Sequence, residues 1–142
     1  MARRTKVLFI CLGNSCRSPM AEAVAREIAS DVMEVSSAGL APLGHIMEMT
    51  RRALVANGYP AEGLASKPIL PQAWDAADLV INMSGRPRDL AFQEFDKVED
   101  WDVDDPYGDD IETYQRIVIE IEGRVRDLAR RLRARKTQGA RR

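Results

Sequence analysis

The chain has 142 residues, 21 Lys and Arg against 22 Asp and Glu, a formal net charge of −1 and 45% apolar residues. That length suits one domain with a closed hydrophobic core, and the composition excludes a disordered chain. No apolar run approaches the ~18–20 residues of a membrane span, the apolar stretch after the basic start is too short for a signal peptide, and two cysteines cannot build a disulfide scaffold, so a cytoplasmic, reducing setting is expected.

In chain order, Lys6-Val7-Leu8-Phe9-Ile10 is a continuous apolar run, as expected of a strand buried on both faces. It enters a Gly- and Asn-containing loop, Cys11-Leu12-Gly13-Asn14-Ser15-Cys16-Arg17. Ser18-Pro19 then reads as the N-cap and first position of a helix striped by Met20, Val24, Ala25 and Ile28. A second strand is predicted over 32–37, ended by Ala38-Gly39. A helix over 50–57 follows, with Gly58 placed to close it in the left-handed conformation. Residues 78–83 read as a third strand broken by Gly85-Arg86-Pro87, and spacing suggests a fourth near 97–99. The last element is a long amphipathic helix over 114–133 carrying Ile117, Ile121, Val125, Leu128 and Leu132. Strands alternating with helices point to an α/β domain with a parallel sheet, without repeats or a second domain.

The charges are unevenly placed. Residues 94–112 hold ten acidic side chains and one basic one, whereas residues 130–142 hold seven basic and no acidic ones. The basic stretch reads as a solvated helix end, where cations suit the dipole. Nucleic acid is not expected as a partner, because no aromatic residue stands among these charges to stack on bases.

The strand-to-helix loop is where the chemistry concentrates. Such a junction offers backbone N–H groups and the positive end of the helix dipole to an anion. A loop curling round a small oxyanion could set Cys11 on its floor and the Arg17 guanidinium on its rim, and the dipole, the N–H groups and Arg17 would all favour the thiolate needed for covalent catalysis. Gly13 permits close approach to the ligand, and Asn14 tolerates a left-handed φ. A metal site is not expected: Cys11, Cys16 and the single His45 have no ligand spacing. Trp74 and Trp101 read as packing residues, while Met47 and Met49 could line a slot or simply pack.

The dozen residues 11–22, Cys-Leu-Gly-Asn-Ser-Cys-Arg-Ser-Pro-Met-Ala-Glu, closely resemble the phosphate-binding loop of the low-molecular-weight protein tyrosine phosphatases and the related arsenate reductases. The resemblance implies that Cys11 is the nucleophile and that Arg17 binds phosphate with the loop residues Leu12, Gly13, Asn14, Ser15 and Cys16. Ser18 would favour the thiolate through a hydrogen bond, and Asn14 would hold the loop in shape. Ser37-Ala38-Gly39 resembles the end of the family's second strand, whose serine supports the loop asparagine. Asp104-Asp105-Pro106-Tyr107 resembles its Asp-Pro-Tyr motif, with Asp105 as general acid, Asp104 as rival donor and Tyr107 lining the substrate slot. Leu43 stands where a second slot aromatic is common, and Leu64-Ala65-Ser66-Lys67 lacks the histidine that contacts the loop asparagine in many members. The resemblance also implies that Cys16 can pair reversibly with Cys11 under oxidation, beside the plainer reading of a small buried residue.

These implications define a four-stranded parallel sheet with helices on both faces, a flavodoxin-like single domain over 1–134, and a basic tail over 135–142. The expected activity is metal-independent, cofactor-free phosphomonoester hydrolysis through a phosphocysteine, on a phosphotyrosine-containing protein or a small phosphomonoester and with no membrane partner. The alternative is arsenate reduction with an external low-molecular-weight thiol, since no cysteine follows Cys16 to form an internal relay. A non-catalytic phosphate-binding module is a third reading, and the joint presence of Cys11, Arg17 and Asp105 argues against it.

Overall fold

The structure is a computed structural model and describes residues 3–140. Four parallel strands, β1 (Thr5–Cys11), β2 (Met33–Gly39), β3 (Leu79–Asn82) and β4 (Val98–Asp100), lie in the order β2-β1-β3-β4. Five helices connect or follow them: α1 (Arg17–Ile28), α2 (Glu48–Ala56), α3 (Pro71–Ala76), α4 (Arg88–Ala91) and α5 (Ile111–Ala140). Alternate residues of β1 serve the two faces of the sheet. Val7 and Phe9 join the larger core with α1, α2 and α5, and Leu8 and Ile10 join a smaller one with Val80, Val98 and Trp74. Burial on both faces is why β1 is apolar without alternation.

All five apolar residues expected on the last helix are buried, as are Met20, Val24 and Ala25 on α1. Gly58 closes α2 at φ 85°. Both tryptophans pack, Trp101 against Phe9 and Trp74 against Phe92, while Met47 and Met49 pack onto the larger core. One local expectation is corrected. Ser18 is not the N-cap of α1: the helix begins at Arg17 after Cys16, whose side chain makes no capping bond. The Ser18 hydroxyl instead accepts from Asn14 and faces Cys11 Sγ and the Ala38 carbonyl. The position-134 boundary falls inside α5, which continues to Ala140, and the tail's Arg141 and Arg142 lie outside the described residues.

The chain runs from β1 out to β2 on one side of the sheet and then crosses back past β1 to β3 on the other. The carboxyl end of β1 is therefore a topological switch point, where the flanking loops diverge and leave a crevice. Among the described residues, no helix is long and apolar enough to cross a membrane.

Candidate active site

Residues 11–17 form a tight loop at this crevice. Its turn requires a left-handed residue, and Asn14, at φ 47°, is the one non-glycine with positive φ among the described residues. The loop carbonyls are tied to the surrounding protein. Leu40 N–H donates to Cys11 O, Ala41 to Leu12 O, Leu43 to Gly13 O and Met47 to Ser15 O, at 2.8–3.2 Å, and the Thr50 hydroxyl adds a second bond to Ser15 O. The backbone N–H groups of residues 12–17 donate to no acceptor among the described residues. Six adjacent free donors at a helix N-terminus form an anion cradle, because buried N–H groups are otherwise almost always paired.

Cys11 Sγ sits within this cradle, almost fully buried. It lies 3.0 Å from Ser18 Oγ and accepts the Ser18 N–H at 3.4 Å. Arg17 is also buried, and its Nη1 donates to the carbonyls of Met83 at 2.5 Å and Val103 at 3.2 Å. Its Nη2 stands 3.5 Å from Asp105 Oδ2, and its Nε is buried with no partner among the described residues. The Nε–Nη2 edge is the one that grips a tetrahedral oxyanion through two parallel bonds; the two carbonyls hold Arg17 by its Nη1 corner, and of that edge Nε is without a partner while Nη2 faces Asp105.

A cleft of about 320 Å³ opens over the loop. Cys11, Leu12, Gly13, Ser15, Cys16, Arg17, Leu43, Asp105 and Tyr107 all line it. Ala41 is a lining residue with no sequence signal, and Asp104 is not on the wall. Leu43 and Tyr107 are exposed at the mouth, and the Tyr107 N–H donates to Asp105 Oδ1 at 3.1 Å, orienting that carboxylate. The space beside Gly13 is filled by Leu43, whose Cγ would stand 3.1 Å from an added Cβ. Gly39 is the tighter constraint. A Cβ there would meet Leu12 O and the Asn14 side chain at 2.9 Å, so β2 can abut the loop only with glycine at its end.

Asn14, Ser18 and Ser37 lie behind the cleft. Asn14 Nδ2 donates to Ser18 Oγ at 2.7 Å and to Ser37 Oγ at 3.0 Å. The histidine absent from residues 64–67 is replaced by main chain: Lys67 N–H donates to Asn14 Oδ1 at 2.9 Å, while the Ser66 hydroxyl donates to Gly13 O. A backbone donor carries no residue signature, so the sequence could not reveal this support. Cys16 is buried with a free thiol that contacts the Tyr114 hydroxyl at 3.6 Å. Burial raises the Cys16 pKa above the ordinary thiol value against the hydrogen bonds to Tyr114 and Thr50, and burial likewise raises that of Tyr114. His45 is exposed and lies off the cleft wall.

Fold and cleft together define a class, single-domain α/β proteins with a thiol inside an anion cradle at the head of the first helix. The chain belongs to the low molecular weight phosphotyrosine protein phosphatase family, whose model matches residues 6–138. It is 34% identical to a protein-arginine-phosphatase of Bacillus subtilis, over 89% of this chain and 96% of the relative. It is 33% identical to a glutaredoxin arsenate reductase of Synechocystis, over 87% and 95%. An arginine phosphatase structure from Geobacillus stearothermophilus superposes with TM-score 0.85 at 29% identity, covering 94% of this chain and 96% of that one. The family is one of enzymes, with both phosphatases and arsenate reductases among the relatives.

Proposed function

We propose that the protein dephosphorylates phosphorylated proteins without a metal, by way of a phosphocysteine. The observation that carries this is the run of six N–H groups without an acceptor among the described residues in the loop that follows Cys11, together with the likewise partnerless Arg17 Nε, and the Asp105 carboxyl on the wall of the same cleft. The phosphoryl group enters the cradle, and Cys11 Sγ attacks phosphorus in line with the leaving group. The S–P bond forms as the bond to the leaving atom breaks, and the N–H groups and Arg17 hold the three equatorial oxygens. Asp105, protonated, gives its proton to the leaving atom. A water that surrenders a proton to the same carboxylate then attacks phosphorus, releasing phosphate and regenerating the thiolate.

The substrate we assign is phosphotyrosine. The exposed Tyr107 ring and the Leu43 side chain flank the mouth, and an aryl ring can pack between them while its phosphate reaches Cys11. Phosphoarginine is the second reading, favoured by the relatives named for that activity. Protonation by Asp105 would serve a departing guanidine nitrogen equally well. Arsenate reduction on this chain would need an external thiol, because only Cys11 and Cys16 are present. A cytoplasmic location follows from the need to keep the nucleophile reduced.

The test is hydrolysis of para-nitrophenyl phosphate with chelator present, wild type beside Cys11→Ser, then of phosphotyrosine and phosphoarginine peptides. Wild-type turnover is expected, with loss of at least ~10³-fold in Cys11→Ser and retained binding of inorganic phosphate. A kcat/KM ratio favouring phosphotyrosine supports the aryl slot, and the reverse ratio reassigns the substrate while keeping the chemistry. Near-wild-type turnover in Cys11→Ser would remove Cys11 from the mechanism.

A further inference from the structure

Behind the loop, an unbroken line of polar side chains runs from Cys11 to the solvent edge of α1. Asn14 gives its two Nδ2 hydrogens to Ser18 Oγ and Ser37 Oγ, and its Oδ1 is held as an acceptor by the Lys67 N–H. Ser37 Oγ donates at 2.5 Å to Glu22 Oε1, and the other oxygen of Glu22 pairs with Arg26, one turn further along α1. The Glu22 side chain is 3% exposed and that of Arg26 49%. A carboxylate so buried carries a large desolvation penalty unless a counter-charge and hydrogen bonds offset it. Arg26 is the cation paired with it.

The direction of the hydrogen bonds follows from the donor inventory. Ser37 receives a hydrogen from Asn14, so its own must leave toward an acceptor, and the acceptor it faces is Glu22. Ser18 receives the second Asn14 hydrogen, so its own is left for one of two acceptors, Cys11 Sγ at 3.0 Å or the Ala38 carbonyl at 3.4 Å, and a thiolate is the nearer and the charged one. An anionic Glu22 at the far end, with the Lys67 N–H on Asn14 Oδ1, therefore sets the polarity of the links from Ser37 through Asn14 to Ser18. We infer that Arg26, through Glu22, Ser37 and Asn14, is a positioning residue that keeps the Ser18 hydroxyl donating to the Cys11 thiolate. Without the guanidinium the buried carboxylate loses its counter-charge and fixed orientation, Ser37 loses a steady acceptor, and the Asn14 amide is no longer pinned from both ends. Arg26 touches no part of the cleft, so binding of the phosphoryl group is left to the N–H cradle and Arg17.

The inference rests on the phosphocysteine reading for its kinetic consequence, but not for its chemical one, so two readouts separate them. Arg26→Met, Arg26→Lys and Glu22→Gln are compared with wild type in two assays: para-nitrophenyl phosphate kinetics, and the alkylation rate of Cys11 by iodoacetamide at pH 7, located by mass mapping. Arg26→Met and Glu22→Gln are expected to lower both kcat and the alkylation rate on the order of tenfold, with KM and the Kd for inorganic phosphate within about twofold. Arg26→Lys should recover most of both losses. The inference is overturned if Arg26→Met alkylates at the wild-type rate, if Arg26→Lys is no better than Arg26→Met, or if the loss appears in KM alone. Should wild type alkylate readily but hydrolyse nothing, the phosphatase reading falls and the alkylation series still decides the role of Arg26.

Discussion

Asp105 and Asp104 are neighbours in an Asp-rich segment, yet only Asp105 lines the cleft, with its carboxylate near Arg17 and bonded to the Tyr107 N–H. If Asp105 delivers the leaving-group proton, Asp105→Asn should slow an alkyl or phenyl phosphate by about 10²–10⁴-fold and a good nitrophenyl leaving group much less. Leaving-group series of kcat/KM for wild type and variant would check this, and equal slowing across the series would move the acid role elsewhere. Resemblance to a known family singled out Cys11, Arg17 and Asp105, whose spacing alone carries little signal. It could not single out Glu22, an ordinary helix residue by type, whose importance comes from being buried opposite Ser37.

At the scale of elements, the β1–loop–α1 unit makes the cradle, and the rest of the fold keeps it tense. Met83 and Val103, following β3 and β4, lend carbonyls to Arg17, and the segment after β2 pulls the loop carbonyls outward. The basic end of α5 is likewise engaged. Arg131 makes two bonds to Glu99 at 2.8 and 3.1 Å, Arg133 pairs with Asp31, and Leu132 is buried between them. Ending the chain at Arg130 is therefore expected to cost stability, with the lost Leu132 side chain alone contributing roughly 2–5 kcal/mol. Thermal melting would register that loss, whereas kcat of the surviving folded fraction should be near wild type. Unchanged melting would mean that the last turns of α5 do not contribute to the core. Two elements gave no readable pattern, α3 and α4, because six and four residues are too few turns to display a helical period.

Over the whole molecule, the basic stretch meets the acidic one at the Arg131–Glu99 pair, and Asp31, Asp78 and Glu99 titrate below their ordinary values beside cations and N–H donors. Hydrogen bonding from Arg133 lowers Asp31, the Arg3 side chain and the Lys6 N–H lower Asp78, and Arg131 with the Trp101 N–H lowers Glu99 against its partial burial. A carboxyl depressed in the folded state stabilises it above the unfolded value, and that contribution is lost as pH falls through the folded value. These groups start from 3.8, 3.8 and 4.5. Melting temperature should therefore hold from neutral pH down to about 5 and fall below about 4. Asp78→Asn should flatten part of that acid limb, and an identical limb in the variant would exclude the Arg3–Asp78 pair as a contributor. Because these pairs are mostly exposed, added salt should shrink the effect.

Local chemistry determined from sequence alone the first three strands and the three longer helices in their order, the apolar stripe of the last helix, and the thiol-and-arginine loop after β1. Each of these is written in neighbouring residues, as a hydrophobic period, a turn residue or a dense motif. The resemblance already implied the Ser18 bond to the thiol and the support of Asn14 by Ser37; only the tertiary structure decided the rest of what stands behind the loop, the Lys67 backbone in place of a histidine and the continuation of the line from Ser37 through Glu22 to Arg26. Those contacts join residues up to 53 positions apart, or use a main-chain donor that every residue but proline carries. Neither kind leaves a mark in sequence, because only packing brings the groups within bonding distance and only burial makes their pairing obligatory.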